Sequence, residues 1–150
     1  MHLAIISGSV FGTADLLADE AAERCVAAGF QVSRIKPPSA DALLAAKPDA
    51  ILVFCSTTGM GEMPEPIIPF YMQMQERFPL LTDIPFGVVG LGDSSYEAYC
   101  QAPEDLRDLL LELQARELLP MLRVDGSETV TPELFAEPWV EQFIELLQNR

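Results

Sequence analysis

Short apolar runs alternate with segments of helical period along the whole chain. The runs lie at residues 3–6, 30–35, 50–55, 86–91 and 118–124. Between the first two, Ala14, Ala18, Ala21, Ala22 and Cys25 fall on one side of a helix over 12–28, and Gly29 supplies its stop. A short helix is expected at 41–47. Ile67, Phe70, Tyr71 and Met74 share one helical face, as do Leu106, Leu109, Leu110 and Leu113. Trp139, Val140, Phe143, Ile144 and Leu147 form the last stripe, and Pro132 and Pro138 each suit its first turn. Strand–helix alternation of this kind implies a parallel sheet. A parallel neighbour is reached only by a crossover, and the crossover helices cover both faces.

Runs three and four lack two-residue alternation, as strands buried on both faces do. The second alternates loosely and the fifth contains Pro120, so both are expected at sheet edges, where a missing N–H is tolerated. The expectation is one α/β domain over residues 1–150. The hydrophobic share of 49% is enough for a core and excludes a disordered chain.

Charge narrows the partners. Asp+Glu number 23 against 9 Lys+Arg, a net charge of −14, with His2 the single histidine. So acidic a chain repels phosphate backbones and anionic lipid, so no nucleic acid or membrane is expected and a basic protein partner is. Cys25, Cys55 and Cys100 are odd in number, with no CxxC and no Cys/His cluster, so neither a disulfide framework nor a metal site is expected. Reduced thiols point to a cytoplasmic protein. Residues 1–7 carry no Lys or Arg and only four apolar residues before Ser7, unlike a secretory signal. The apolar run 50–55 is too short to span a bilayer.

Ligands in open parallel sheets bind beyond the carboxyl ends of strands, where the strand order reverses. Three loops hold such positions. The first, Ser7-Gly8-Ser9-Val10-Phe11-Gly12-Thr13-Ala14, opens a helix with glycines and hydroxyls. It suits a phosphomonoester held by backbone N–H groups, and it also suits a plain strand-to-helix turn. It has no lysine after Gly12 and is not a nucleotide-triphosphate loop. The second, Ser56-Thr57-Thr58-Gly59-Met60-Gly61-Glu62-Met63-Pro64, can wrap a flat ligand by its main chain or simply lead into a helix. The third runs Gly90-Leu91-Gly92-Asp93-Ser94-Ser95-Tyr96-Glu97-Ala98-Tyr99-Cys100-Gln101 and places two tyrosines near a strand end. Such a tyrosine can stack on an aromatic ligand; Tyr99 can equally pack on the helix that follows.

Residues 90–100 resemble the isoalloxazine-binding loop of flavodoxins. The first loop is similar to their phosphate loop, Ser/Thr-x-Thr-Gly-x-Thr, laid over residues 9–14. Residues 56–59 resemble the other flavin-flanking loop, and 60–65 resemble the FMN domains of diflavin reductases. With only a brief connection after the fifth run, the chain looks like a short-chain flavodoxin, closest in its first loop to the MioC- and YqcA-type bacterial members. The resemblance implies a flavodoxin-like three-layer sandwich with a five-stranded parallel sheet in order 2-1-3-4-5, and FMN as cofactor.

It also implies the site. Ser9, Gly12 and Thr13 would donate to the FMN phosphate, with the N–H groups of Val10, Phe11 and Ala14. Ser56, Thr57, Thr58, Gly59 and Met60 would line one edge of the ring and the ribityl chain. Asp93 would meet the pyrimidine edge, mostly by its backbone, Tyr96 would stack on the outer face, and Cys100 would offer its N–H to a ring carbonyl; Leu91 and Gly92 would also bind the cofactor. Tyr99 would stack as well, or pack on the next helix. Phe11 and Ala14 stand where the family has threonines, so two phosphate hydroxyls are missing and a weaker hold is expected. Met60 would touch the ring through its thioether or pack beneath it.

The implied role is a low-potential carrier of single electrons, with no catalytic side chains, working as a monomer. A basic NADPH-dependent flavodoxin reductase would load it, steered by Glu62, Glu65, Asp93, Glu97, Glu104 and Asp105, and an electron-acceptor enzyme would unload it. Two other readings stay open on sequence alone: an NAD(P)H:quinone reductase of the same fold, and a regulatory module that has lost flavin.

Overall fold

Leu3 and Ile5 point to one side of the first strand, Ala4 and Ile6 to the other, and all four are fully buried. A strand covered on both faces needs a helix layer on each, and the rest of the chain supplies them. The computed structural model describes residues 1–58, 60–129 and 131–150. The strands are β1 (His2–Gly8), β2 (Gln31–Ile35), β3 (Ala50–Ser56), β4 (Pro85–Gly92), β5 (Arg116–Glu117) and β6 (Leu122–Asp125). The sheet is parallel in order β2-β1-β3-β4-β5, and β6 also pairs with β4. The register aligns Ile6 with Ile35 and Val53, Gly8 with Cys55, and Cys55 with Gly90. Order reverses between β1 and β3, so the loops after these two strands open beside one another.

The fifth position departs from the expected single strand over 118–124. It is shared by β5 and β6, separated around Pro120. Proline has no N–H for a ladder, and the chain steps out of the sheet there. The Pro120 carbonyl instead accepts from the Trp139 indole N–H at 2.9 Å.

Helices α1 (Thr13–Ala27) and α5 (Pro132–Gln148) cover one face, against Leu3, Ile5, Leu52, Phe54 and Val89. Helices α2 (Ala40–Ala46), α3 (Ile68–Arg77) and α4 (Gln101–Glu112) cover the other, against Ala4, Ile6, Ile51, Val53 and Val88. Alternate residues of each central strand therefore feed opposite cores. Phe54, Phe70, Phe86 and Phe143 are among the largest fully buried side chains. Each contributes about 1.5–3 kcal/mol over the exposed state. In α1 the small residues Ala14, Ala18, Ala21 and Cys25 are buried as the spacing predicts. Ser39 caps α2 by accepting the Ala42 N–H at 3.1 Å.

Of the two starts open to α5, the chain uses Pro132 and keeps Pro138 inside the helix. Pro138 is exposed and cannot bond the carbonyl of Leu134, which is itself 62% exposed, so water can serve that carbonyl. Trp139 and Phe143 stack at 5.6 Å over β4. A Cβ on Gly87 would stand 2.6 Å from the Trp139 ring, so only glycine permits this approach.

Candidate functional site

At the carboxyl end of the sheet the loops after β1, β3, β4 and β6 enclose a cavity of about 710 Å³. Val10, Phe11 and Thr13 line it from the first loop, and Ser56, Thr57 and Thr58 from the second. Leu91, Gly92, Asp93, Tyr96, Ala98 and Tyr99 line it from the third. Val124, Gly126, Thr129 and Pro132 close it from a fourth segment.

The first loop turns on Gly12, whose φ of +90° is a left-handed conformation that suits glycine. Its N–H donates to the Ser9 hydroxyl at 3.1 Å, and its carbonyl accepts the Leu16 N–H at 2.9 Å to begin α1. The first N–H groups of α1 have no partner within the helix and carry the positive end of its dipole. Ser9 is 7% exposed and donates its own proton to Asp15 at 3.2 Å. Its hydroxyl is thus engaged inside the protein, and Ser9, Gly12 and Ala14 stay out of the lining. Ala14 packs in the core. Phe11, in contrast, is 96% exposed at the rim.

The second loop is closed by its own backbone. Thr58 gives its N–H and its hydroxyl to the Glu62 carbonyl at 3.0 and 3.1 Å, and its carbonyl accepts the Gly61 N–H at 2.8 Å. Met60 lies outside the lining and is 82% exposed. Gly59 lies outside the described residues. Thr57 keeps a buried hydroxyl that has no hydrogen-bond partner among the described residues. A buried polar group left alone is costly, typically about 1–3 kcal/mol.

The third loop is pinned to the fourth segment. Asp125 accepts from the Ser94 N–H at 3.1 Å, the Ser127 N–H at 2.9 Å and the Ser127 hydroxyl at 2.7 Å. The Gly126 N–H donates to the Gly92 carbonyl at 2.7 Å. Hydrogen bonds from the Ser94 and Ser127 side chains, with their backbone N–H groups, hold the Asp125 carboxyl well below the usual range. Asp93 turns back on its own loop, accepting from the Ser95 N–H at 2.9 Å and its hydroxyl at 2.5 Å. Tyr96 is left at the rim, 54% exposed. Burial pushes the Tyr99 phenol up to about 12, and the Cys100 thiol up to about 11. Cys100 is fully buried and outside the lining, and its thiol has no route to solvent chemistry.

Ala98, Val124, Gly126, Thr129 and Pro132 were not expected in the site. For Gly126 and Thr129 the polar stretch at 125–129 carried the signal, since it too leaves the carboxyl end of a strand. Of the six acidic residues, Glu62, Glu65 and Glu97 are exposed. Glu104 is paired with Arg123, and Asp105 accepts from the Gln101 side chain at 2.8 Å. The Arg123 pairing offsets the Glu104 charge, while Asp105, bonded to a neutral amide, keeps its own.

A doubly wound sheet, a glycine-turned loop at a helix N-terminus and a tyrosine-bearing rim define an α/β protein that takes a flat ring with an anionic tail. The Flavodoxin family pattern matches residues 5–139, and the chain belongs to the flavodoxin family. It lies in the short-chain branch with the YqcA and MioC proteins. It is 48% identical to an uncharacterised protein of Pseudomonas aeruginosa, over 99% of this chain and all of that one. Flavodoxin YqcA of Escherichia coli is 33% identical, over 97% of this chain and 98% of its own length. The solved structure of a cysteine-to-serine mutant of a flavodoxin from Pseudomonas aeruginosa matches with a TM-score of 0.94 at 48% identity, covering 99% of each chain. As a flavodoxin, the chain is an FMN-binding electron-transfer protein and not an enzyme. Its residues fit that cofactor: the helix N-terminus suits the phosphate, Tyr96 and Tyr99 suit the ring, and the buried Thr57 hydroxyl has no partner among the described residues.

Replacing Thr57 with valine should separate the two sides of that fit. The cofactor-free protein is expected to melt about 2–4 °C higher, because one unsatisfied hydroxyl is removed. FMN affinity is expected to fall about fivefold, the worth of one hydrogen bond of about 1 kcal/mol. A thermal melt and a flavin titration check both.

Proposed function

We propose that this flavodoxin shuttles single electrons at low potential from a basic, NADPH-dependent reductase to an acceptor enzyme in the cytoplasm. The observation that carries the reading is the rim cavity with Tyr96 at its mouth in a chain of charge −14. FMN supplies the one-electron chemistry when bound. The chain's own residues do the rest. The first turn of α1 and the Thr13 hydroxyl hold the anionic tail. Tyr96 and Tyr99 supply the aromatic side of the slot, and Leu91 and Val124 keep water from its floor. The surrounding carboxylates disfavour each further negative charge placed in the cavity and so hold the potential of the last electron down.

The exposed Glu62, Glu65 and Glu97 give the mouth a field that draws a positively charged partner. Glu104 contributes little to it, because Arg123 lies against it. The apolar side chains of Phe11 and Met60 stand out from the same rim and offer contact area once charges have brought the partner close.

Titration of the cofactor-free protein with FMN is expected to show one-to-one uptake. Stepwise anaerobic reduction should then give two separated one-electron steps, the second below that of free FMN. Reduction by a basic flavodoxin reductase should slow about tenfold as salt rises from about 0.05 to about 0.5 M, since screening shortens the reach of the field. No flavin uptake at micromolar levels overturns the reading, and a salt-independent rate removes the steering part alone.

A further inference from the structure

Beneath the first loop runs a line of hydrogen bonds that holding a cofactor does not in itself require. Arg34, on β2, turns inward across β1 and has a side chain only 16% exposed. It donates to the Ile5 carbonyl at 3.2 Å, to the Ser7 hydroxyl at 2.9 Å and to Asp19 at 3.0 Å. Ser7 passes its proton to Asp15 at 2.6 Å. The other Asp15 oxygen accepts from Ser9 at 3.2 Å, and the Ser9 hydroxyl accepts the Gly12 N–H at 3.1 Å. One cation is thus linked, through two serines and a carboxylate, to the glycine on which the loop turns. Ser7 and Ser9 are 4% and 7% exposed, so the line is shielded from water.

Two features of this line act on an anion. Asp15 sits in the first turn of α1, at the positive end of the helix dipole. That is the same field a phosphate would use. Asp15 also takes the Ser9 proton that a phosphate oxygen would otherwise accept. Arg34 works the other way: its positive charge, shared with Asp19 at 3.0 Å, also reaches Asp15 through Ser7 and offsets part of the carboxylate. Among the described residues Asp15 makes no direct ion pair, so that offset is partial. The loop already has Phe11 and Ala14 in place of two hydroxyl residues. The balance between Asp15 and Arg34 therefore weighs heavily on its grip.

We propose that the Arg34–Ser7–Asp15–Ser9 line sets how tightly the first loop holds the FMN phosphate, Asp15 loosening the grip and Arg34 restoring it. The proposal rests on the FMN reading above. Asp15 and Arg34 are positioning residues here; neither lines the cavity. Their effect falls on the tail of the cofactor and not on its ring.

Riboflavin has the same ring without the phosphate, so it separates the two. Dissociation constants for FMN and riboflavin are to be measured by flavin fluorescence for the wild type, Asp15→Asn and Arg34→Gln, with a thermal melt of each cofactor-free protein. Asparagine keeps a partner for both serines while removing the charge. Asp15→Asn should bind FMN about tenfold more tightly and riboflavin unchanged, the effect of deleting one nearby like charge in a partly shielded site. Arg34→Gln should bind FMN about fivefold more weakly and riboflavin unchanged. A general loosening of the fold would shift both ligands together, so the FMN-to-riboflavin ratio reports the phosphate alone. Equal changes for the two ligands, or weaker FMN binding by Asp15→Asn with riboflavin unchanged, overturn the proposal and leave the FMN reading intact. A wild type that binds neither flavin overturns both. If Arg34→Gln does not fold, Asp15→Asn decides the matter by the same ratio.

Discussion

Alanine at Gly90 should destabilise the protein by about 3 kcal/mol and remove tight FMN binding. A Cβ there would lie 2.7 Å from Pro103 Cβ and 2.8 Å from its Cγ. Neither side can yield cheaply. Gly90 sits in mid-strand, paired to Cys55 on one flank and Arg123 on the other, so β4 is held in place. Pro103 is a rigid, buried ring in the first turn of α4. Overpacking a filled core costs about 1–3 kcal/mol, and a contact between two fixed groups belongs at the upper end. The displaced element is the start of α4, which carries Cys100 and the whole third loop above it. A urea titration should show the midpoint falling, and the melting temperature should drop by about 6–12 °C. FMN affinity should fall by at least about tenfold at temperatures where the variant is still folded. An unchanged melt would mean that α4 shifts freely.

Asp125 is the second position with a large expected effect. Its carboxylate gathers three donors from two segments, and with the Gly126–Gly92 contact it ties the wall after β6 to the loop that carries Tyr96. Asp125→Ala leaves the Ser94 and Ser127 donors without their common acceptor. The tyrosine loop then loses its fixed position over the cavity, and FMN affinity is expected to fall about fiftyfold. A pH series distinguishes this latch from mere bulk. The folded pKa of Asp125 lies below its unfolded value, so its contribution to stability is present above about pH 4 and is lost as the pH falls further. The difference in melting temperature between wild type and Asp125→Asn should therefore be widest near neutral pH and should close in acid. A difference that stays constant with pH would assign the effect to shape rather than charge.

Much of the layered fold was legible because burial leaves a pattern. Runs 50–55 and 86–91 lacked alternation because β3 and β4 are covered on both faces. The stripes at 67–74, 106–113 and 139–147 fell where α3, α4 and α5 meet the sheet. What escaped has physical causes of its own. Arg116 and Glu117 form β5 by backbone pairing alone, and two charged residues carry no periodic signal. Pro132 and Pro138 were equally suited to start a helix; solvent exposure at Pro138 decided it. In the site, the loops were readable because strand-end glycines and hydroxyls stand out. The direction of a hydroxyl was not: Ser9 faces Asp15, and the reason includes Arg34, brought up from a neighbouring strand with no local sign in the sequence.

The interruption at Pro120 also affects how the protein behaves when crowded. An open sheet invites another chain to add a strand along an unpaired flank, the first step towards fibrils. Here one flank is cut between β5 and β6 by a residue with no hydrogen to give. The opposite flank, β2, is five residues long, and after Lys36 come Pro37 and Pro38. Neither side offers a long, straight template. Copies of this chain therefore find no long strand edge on which to extend one another's sheets.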